Sequence, residues 1–369
     1  MLEEEKGNLP SARSSVERKR QLIPPPIFII GTGRSGTSLL RAMLNAHPRI
    51  YLIQEAMFLP LTGWLPPWVS GDRRLGFYFR SLVFAWMGLD PAAIRQRFPA
   101  PLPAHRLPEV YLHLMDEMAR RHGKPRGGDK TPLNAAFLAP LVAAFPAAPV
   151  IEIVRDPRAV VWSHRQMPWA TSSLLALGLM LRRHERLVSR WEGCVLRIRL
   201  EDLVAEPRAT MATVLKHIGE PWDEAVIDPA RVAQTDPGQP YPWLQVRPLR
   251  SGPAGGPARA ATGAGWREQM PPVWIRLIER WTGRTMRRFG YPAARLAVEP
   301  TRREMAQAIA RDLPEAARAV SRRARVARRV TRRQALSTAE LQRISFNLNP
   351  AGWAANPDWT LPPPPRRKT

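Results

Sequence analysis

The stretch IFIIGTGRSGTSLLRAMLNAHP, residues 27 to 48, constrains the fold of this chain more than any other. Four apolar residues run into glycines at 31, 33 and 36, and a helical pattern begins at Thr37. Strand, tight loop and helix in that order aim backbone N–H groups at a bound anion. Two templates nearly fit. Gly31, four residues, then Gly36 is the spacing of the phosphate loop of nucleotide hydrolases, but Thr37 stands where that motif needs lysine. Gly31, Gly33 and Gly36 also spell the dinucleotide fingerprint, and Glu55, after IYLIQ, stands where that reading wants its acidic residue. The loop alone does not choose between them. Its cation is Arg34, inside the loop, joined by hydroxyls at Ser35, Thr37 and Ser38. Such a set suits an anion needing fewer cations than a nucleoside triphosphate beside Mg²⁺.

Further along, strands alternate with helices. VIEIV (150–154) and VLRIRL (195–200) are apolar enough for buried strands. Helices are expected over 108–123, near 133–144, from Asp156 as N-cap with Pro157 at the first helical position, over about 172–192 and over 271–291. Further helices after 200 break at Pro207, and 228–265 reads as a Pro/Gly-rich loop. Between Pro60 and Pro108 an aromatic-rich, irregular and partly helical insertion interrupts the rhythm. The pattern indicates an α/β fold: a P-loop-type parallel sheet flanked by helices, with that insertion and an Arg-rich helical extension at the C-terminus. The expected division is a flexible leader (1–26), a catalytic domain (27–300), and a basic helical extension with a Pro-rich tail (301–369). A helix break is expected at Pro314.

The second anion motif decides the reading. VIEIVRDPRAVVWSH puts Arg155 at the end of a buried strand and Ser163 eight residues later, about two helical turns on. An arginine and a hydroxyl set that way can clamp a second phosphate. With both motifs present, the chain resembles the PAPS-dependent sulfotransferases, whose donor is 3′-phosphoadenosine 5′-phosphosulfate. The stretches GDKTP (128–132), RLEDLVAEP (199–207) and GWREQM…FGYP (265–292) also look like landmarks of that family, so the resemblance covers roughly 27–292. It implies that Gly33, Arg34, Ser35, Gly36, Thr37 and Ser38 hold the 5′-phosphosulfate and that Arg155 and Ser163 hold the 3′-phosphate.

RSGTSLLRAMLNAHP followed by Glu55 resembles the tyrosylprotein and bacterial branches, in which a glutamate about 21 residues after the loop arginine is the general base; counting from Arg34 lands on Glu55. The histidine base of the cytosolic branch has no counterpart, since Pro132 follows Lys130-Thr131. By the same resemblance Lys130 and Arg34 neutralise the leaving oxygen, while Arg259 and Thr262 in ARAATGAGW are further donor contacts. Sulfuryl transfer of this kind needs no metal, and no acidic–histidine grouping reads as a metal site. His47 and His164 read as structural or surface residues on helices, and Cys194 as a buried thiol in CVLRIRL.

The formal charge is 56 − 31 = +25, and only six of the basic residues are lysines. Arginine forks suit phosphate and sulfate. A single cysteine excludes an internal disulfide. With neither an N-terminal apolar stretch nor an apolar run long enough to span a bilayer, the expectation is a soluble, cytoplasmic chain. Residues 301–369 carry 15 basic and 5 acidic residues with few large apolar ones, so their helices need a surface to lie on. The domain itself or a second subunit is expected ahead of an anionic peripheral surface. The acceptor is expected to be a small-molecule, glycan or lipid hydroxyl, and no specific nucleic-acid partner is expected. The aromatics of 58–88, with Trp162 and Trp169, could line its pocket. Two other readings remain at this point. A nucleotide-dependent oxidoreductase would use the glycine triplet but leaves Arg155 and Ser163 idle; a non-catalytic basic module for nucleic acid or anionic lipid leaves both anion motifs idle.

Overall fold

Ile27–Gly31 (β1) is a five-residue strand with every position buried, because its apolar side chains meet helices on both faces of the sheet. A computed structural model describes residues 24–63, 65, 67–165, 167, 173–234 and 265–331. The expectations for Arg259, Thr262, Trp169, most of the leader and loop, and the Pro-rich tail lie outside the described residues. From the loop the chain enters Thr37–Ala46 (α1) and then Ile50–Gln54 (β2). Four short helices follow, Phe58–Gly63 (α2), Gly71–Phe79 (α3), Leu82–Met87 (α4) and Pro91–Arg97 (α5), before the longer Leu107–Arg121 (α6). Next come Arg126–Lys130 (β3), Leu138–Ala144 (α7), Val150–Val154 (β4), Pro157–Arg165 (α8), Leu174–Val188 (α9) and Val195–Arg199 (β5).

The five strands form one parallel sheet in the order β2-β3-β1-β4-β5, an α/β architecture. All strands therefore end on the same edge, where ligands of open α/β sheets bind. The register sets Gln54 beside Lys130 and Gly31 beside Ile153. One core lies between the sheet, α6 and the insertion, whose Phe77, Tyr78, Phe84 and Phe98 are buried in it. A second lies against α1 and Pro207–Ile218, and a third joins α8, α9 and Trp266. Most of the insertion's aromatics are thus core, although Trp68 is 81% exposed.

RGGDK lacks the branched apolar residues that announce a strand, yet it forms β3. Its glycines are there for clearance. A Cβ on Gly127 would come 2.5 Å from the Met115 carbonyl oxygen of α6, and one on Gly128 would come 2.2 Å from the Ile27 carbonyl oxygen of β1. Two other expectations are corrected. Cys194 is exposed, because it ends the turn before β5 rather than joining the strand. The helix Arg302–Thr331 runs straight through Pro314. Proline removes one N–H bond and crowds the preceding turn, but this helix is held from outside. Asp312 accepts from the Ser173 hydroxyl at 2.5 Å and from the Leu175 N–H at 2.9 Å, at the start of α9. Among the described residues no helix is long and apolar enough to cross a membrane.

Candidate functional site at the carboxyl edge of the sheet

The loop after β1 is closed by its own residues. The Ser35 N–H and hydroxyl both donate to the Thr32 carbonyl, at 3.2 and 2.6 Å, and Ser35 is fully buried. Gly36 sits at φ 102, and no described side chain caps α1 there. That end carries the positive pole of the helix. A Cβ on Gly36 would lie 2.6 Å from Leu200. One on Gly33 would lie 3.3 Å from the His164 ring, which therefore lies over the loop rather than on an open helix surface.

Arg34 adopts φ 71, the left-handed region that glycine prefers. From there its Nε donates to Ser163 Oγ at 3.1 Å, and Arg155 Nη1 donates to the Arg34 carbonyl oxygen at 2.8 Å. Residues from the loop after β1, the exit of β4 and α8, assigned by sequence to two ends of one donor, thus meet directly. Arg155 is buried, and that burial lowers its pKa against the pull of Glu201 and Asp156. Guanidinium stays charged regardless.

Behind Arg155, Arg158 ties the later landmarks together. It donates to Asp156 at 2.7 Å, Glu279 at 2.5 Å and the Pro292 carbonyl at 2.9 Å, and its guanidinium lies 4.3 Å from the Trp266 ring centre. Tyr291 donates to Glu201 at 2.8 Å, and Glu201 accepts from the Asp156 N–H. The tryptophan and the FGYP turn thus build the wall behind the arginine.

On the β2–β3 side, Lys130 Nζ donates to Glu55 at 2.8 Å and reaches Ser38 Oγ at 3.5 Å. The lysine side chain is fully buried and that of Glu55 is 26% exposed. Burial lowers the Lys130 pKa, and the Glu55 charge opposes that shift. Glu55 and Met57 both have left-handed backbone, φ 54 and φ 52. For residues other than glycine this costs of order 1–3 kcal/mol each. The surroundings impose it. The Glu55 N–H donates to the Lys130 carbonyl at 2.8 Å, the Ala56 N–H to Asp129 at 2.9 Å, and the Met57 N–H to the Thr131 hydroxyl at 3.2 Å. Asp129 is fully buried and also accepts from Tyr111 at 2.7 Å and Asn134 at 3.0 Å. Burial pushes its carboxyl up, while the bonds from Thr131, Ala56 and Tyr111 pull the other way.

Of the sequence candidates, Arg34, Ser163 and Arg155 are in contact, Glu55 and Lys130 form a pair, and Ser38 lies between the two groups. Thr37 is buried at the start of α1. Asp129, Thr131 and Arg158 escaped sequence reasoning, although the GDKTP and RDPR runs held their signal. His47 is structural as read. Its Nδ1 accepts from the Arg49 N–H, so Nε2 carries the proton that meets the Pro221 carbonyl at 3.0 Å.

The chain is similar to protein-tyrosine sulfotransferase 1 of Danio rerio, 24% identical over 277 residues, which covers 70% of this chain and 66% of the relative. It is also similar to the protein-tyrosine sulfotransferase of Drosophila melanogaster, 26% identical over 220 residues, 55% of this chain and 40% of that one. The chain thus spans less than two thirds of either relative. Among solved structures, the sulfotransferase domain of the Synechococcus PCC 7002 olefin synthase shares the fold, with a TM-score of 0.52 at 24% identity, covering 73% of this chain and 96% of that domain. Residues 25–224, more than half of the 369, match the model of the sulfotransferase family, and neither the oxidoreductase nor the simple basic-module reading accounts for that match. This chain belongs to the sulfotransferase family.

Proposed function

We propose that the chain transfers a sulfuryl group from 3′-phosphoadenosine 5′-phosphosulfate to an acceptor hydroxyl, with Glu55 as general base. The residues present fit such a donor. The α1 N-terminus carries no side-chain cap, a Cβ on Gly36 would come 2.6 Å from Leu200, and Arg155 bonds the loop at the Arg34 carbonyl. Backbone N–H groups of 33–38 with Arg34 would hold the 5′ end, and Arg155 with Ser163 the 3′-phosphate. The donor supplies an activated sulfuryl group on a phosphate leaving group.

The chain's own residues do the rest. Glu55 takes the proton of the acceptor hydroxyl. Lys130 holds the Glu55 carboxylate in place through its 2.8 Å bond. Lying also 3.5 Å from Ser38 at the start of α1, it sets a cation where negative charge grows on the leaving oxygen. That double reach of Lys130 is the observation that carries the reading: one buried ammonium joins the carboxylate to the anion loop.

The test is nucleotide binding followed by transfer. The chain should bind 3′-phosphoadenosine 5′-phosphate at least tenfold more tightly than adenosine 5′-phosphate, the worth of one charge-assisted contact set. A tyrosyl peptide, a sugar and a lipid alcohol, offered in turn with the donor, then identify the acceptor class; the names of the relatives put the tyrosyl peptide first. Equal affinity for the two nucleotides would overturn the proposal.

A further inference from the structure

We propose that Asp129 and Thr131 are positioning residues that hold the backbone of residues 55–57 in the left-handed turn setting Glu55 against Lys130. The inference rests on the function proposed above but concerns residues that reading leaves without a role. Three consecutive residues of β3 and its exit each grip one residue of the turn after β2. The Lys130 carbonyl takes the Glu55 N–H, the Asp129 carboxylate takes the Ala56 N–H, and the Thr131 hydroxyl takes the Met57 N–H. Tyr78, buried in the insertion, closes the fourth side by donating to the Ala56 carbonyl at 2.9 Å.

Three features make this a clamp rather than ordinary satisfaction of buried groups. The turn is in a conformation that its own residues disfavour, with φ 54 at Glu55 and φ 52 at Met57, so without external partners it would relax into an extended form. The clamping side chains are themselves locked. Asp129 and Thr131 are fully buried, and Asp129 is fixed by Tyr111 and by Asn134, which also donates to the Tyr111 oxygen. Lastly, the residue aimed by the turn is the carboxylate assigned the proton transfer. A peptide flip at 55–56 would swing it away from Lys130 without altering the loop after β1.

The test uses the full chain and Thr131→Val, which keeps the side-chain volume but removes the acceptor for Met57 N–H. Thr131→Ser restores a hydroxyl and serves as the rescue; Asp129→Asn supplements them. Thr131→Val should lower turnover roughly 10²-fold, the order expected when a reacting group is misplaced by about an ångström. Affinity for 3′-phosphoadenosine 5′-phosphate should stay within about twofold, and Thr131→Ser should recover most of the turnover. A second readout needs no turnover. Acylation of lysines, followed by mass spectrometry, should label Lys130 severalfold faster in Thr131→Val. Lys124, whose Nζ donates to the Asn45 and His47 carbonyls, should be unchanged. If wild type binds the nucleotide and turns over while Thr131→Val matches it in rate and in Lys130 labelling, the clamp is refuted and the function stands. If wild type itself shows no preference for the 3′-phosphorylated nucleotide, the functional reading fails first. Equal acceleration at Lys130 and Lys124 would mean general loosening and would also refute the clamp.

Discussion

The loop after β1 and the turn after β2 both bend the backbone where ordinary residues resist, and they do so with different materials. The first uses glycine at 31 and 36, with a single exception at Arg34, and closes through Ser35 onto Thr32 only three residues away. The second has no glycine in its bend and is held by residues about 75 positions further on. On the function proposed above, the difference separates two tasks. A loop that presents N–H groups to an anion needs backbone freedom and close approach, which glycine supplies. A turn that aims one carboxylate needs a side chain at the bend, so strain at Glu55 has to be held by a rigid neighbour.

The sharpest break of that comparison is Glu55→Gln. It keeps the turn and removes the base, so turnover should fall roughly 10²–10⁴-fold while nucleotide affinity barely moves. Intact turnover would mean that another group takes the proton and that the strained turn serves something else. On the loop side, Arg155→Ala should cost about 1.5–3 kcal/mol of affinity for 3′-phosphoadenosine 5′-phosphate, measured by calorimetry. It should cost little for adenosine 5′-phosphate, and equal losses would deny Arg155 the 3′-phosphate. Gly36→Ala probes the glycine material itself. At φ 102, with Leu200 only 2.6 Å from the added Cβ, the strain of about 1–3 kcal/mol should appear in denaturant unfolding as well as in weaker nucleotide binding. A stable variant would show that the loop tolerates an ordinary residue, as it does at Arg34.

The pH dependence tests the turn side again. Burial lowers the Lys130 pKa from the ordinary 10.5, so the ammonium loses its proton earlier on the alkaline side than a solvated lysine would. Activity that needs the charged form is full at lower pH and falls as pH rises through the lowered value. The alkaline limb of kcat/KM should therefore lie below 10.5. A limb at or above that value would place the working cation elsewhere.

These two regions also differ in how far they could be read from sequence. Strand, glycine loop and helix are local signals, and the Arg155–Ser163 spacing is a local helical count, so the geometry of this half was legible. Glu55 was found through resemblance, not through its conformation: nothing in QEAMF announces positive φ at a glutamate and a methionine. β3 was missed for the same kind of reason. RGGDK pairs with β1 and β2, and its glycines are required because α6 and β1 press too closely for side chains, a pressure that exists only in the folded sheet. Asp129 and Thr131 sat inside a recognised landmark, yet their partners lie across the sheet. Local rules fail where tertiary contacts impose a strained functional geometry.

The smallest effect is expected far from both turns, at the Arg-rich helix Arg302–Thr331. Sequence composition set it apart as an extension, and its arginines suggested a need for some external surface. Asp312 gives that need a specific answer: its carboxylate accepts from the Ser173 hydroxyl and the Leu175 N–H at the start of α9. A carboxylate there also meets the positive end of the helix. Asp312→Ala should lower stability by about 0.5–2 kcal/mol, the usual worth of an N-cap contact, with a matching fall in denaturation midpoint. Nucleotide affinity should not change, because Arg34 donates to Ser163 and Arg155 donates to the Arg34 carbonyl, away from the Asp312 contact. Removing residues 301–369, which also removes the packing of this helix on α9 and on Pro272–Arg288, should cost at least that much stability and again spare binding. An affinity loss in either variant comparable to that of Arg155→Ala would place the helix inside the working unit, with α9 transmitting its contact to the segment that carries Ser163.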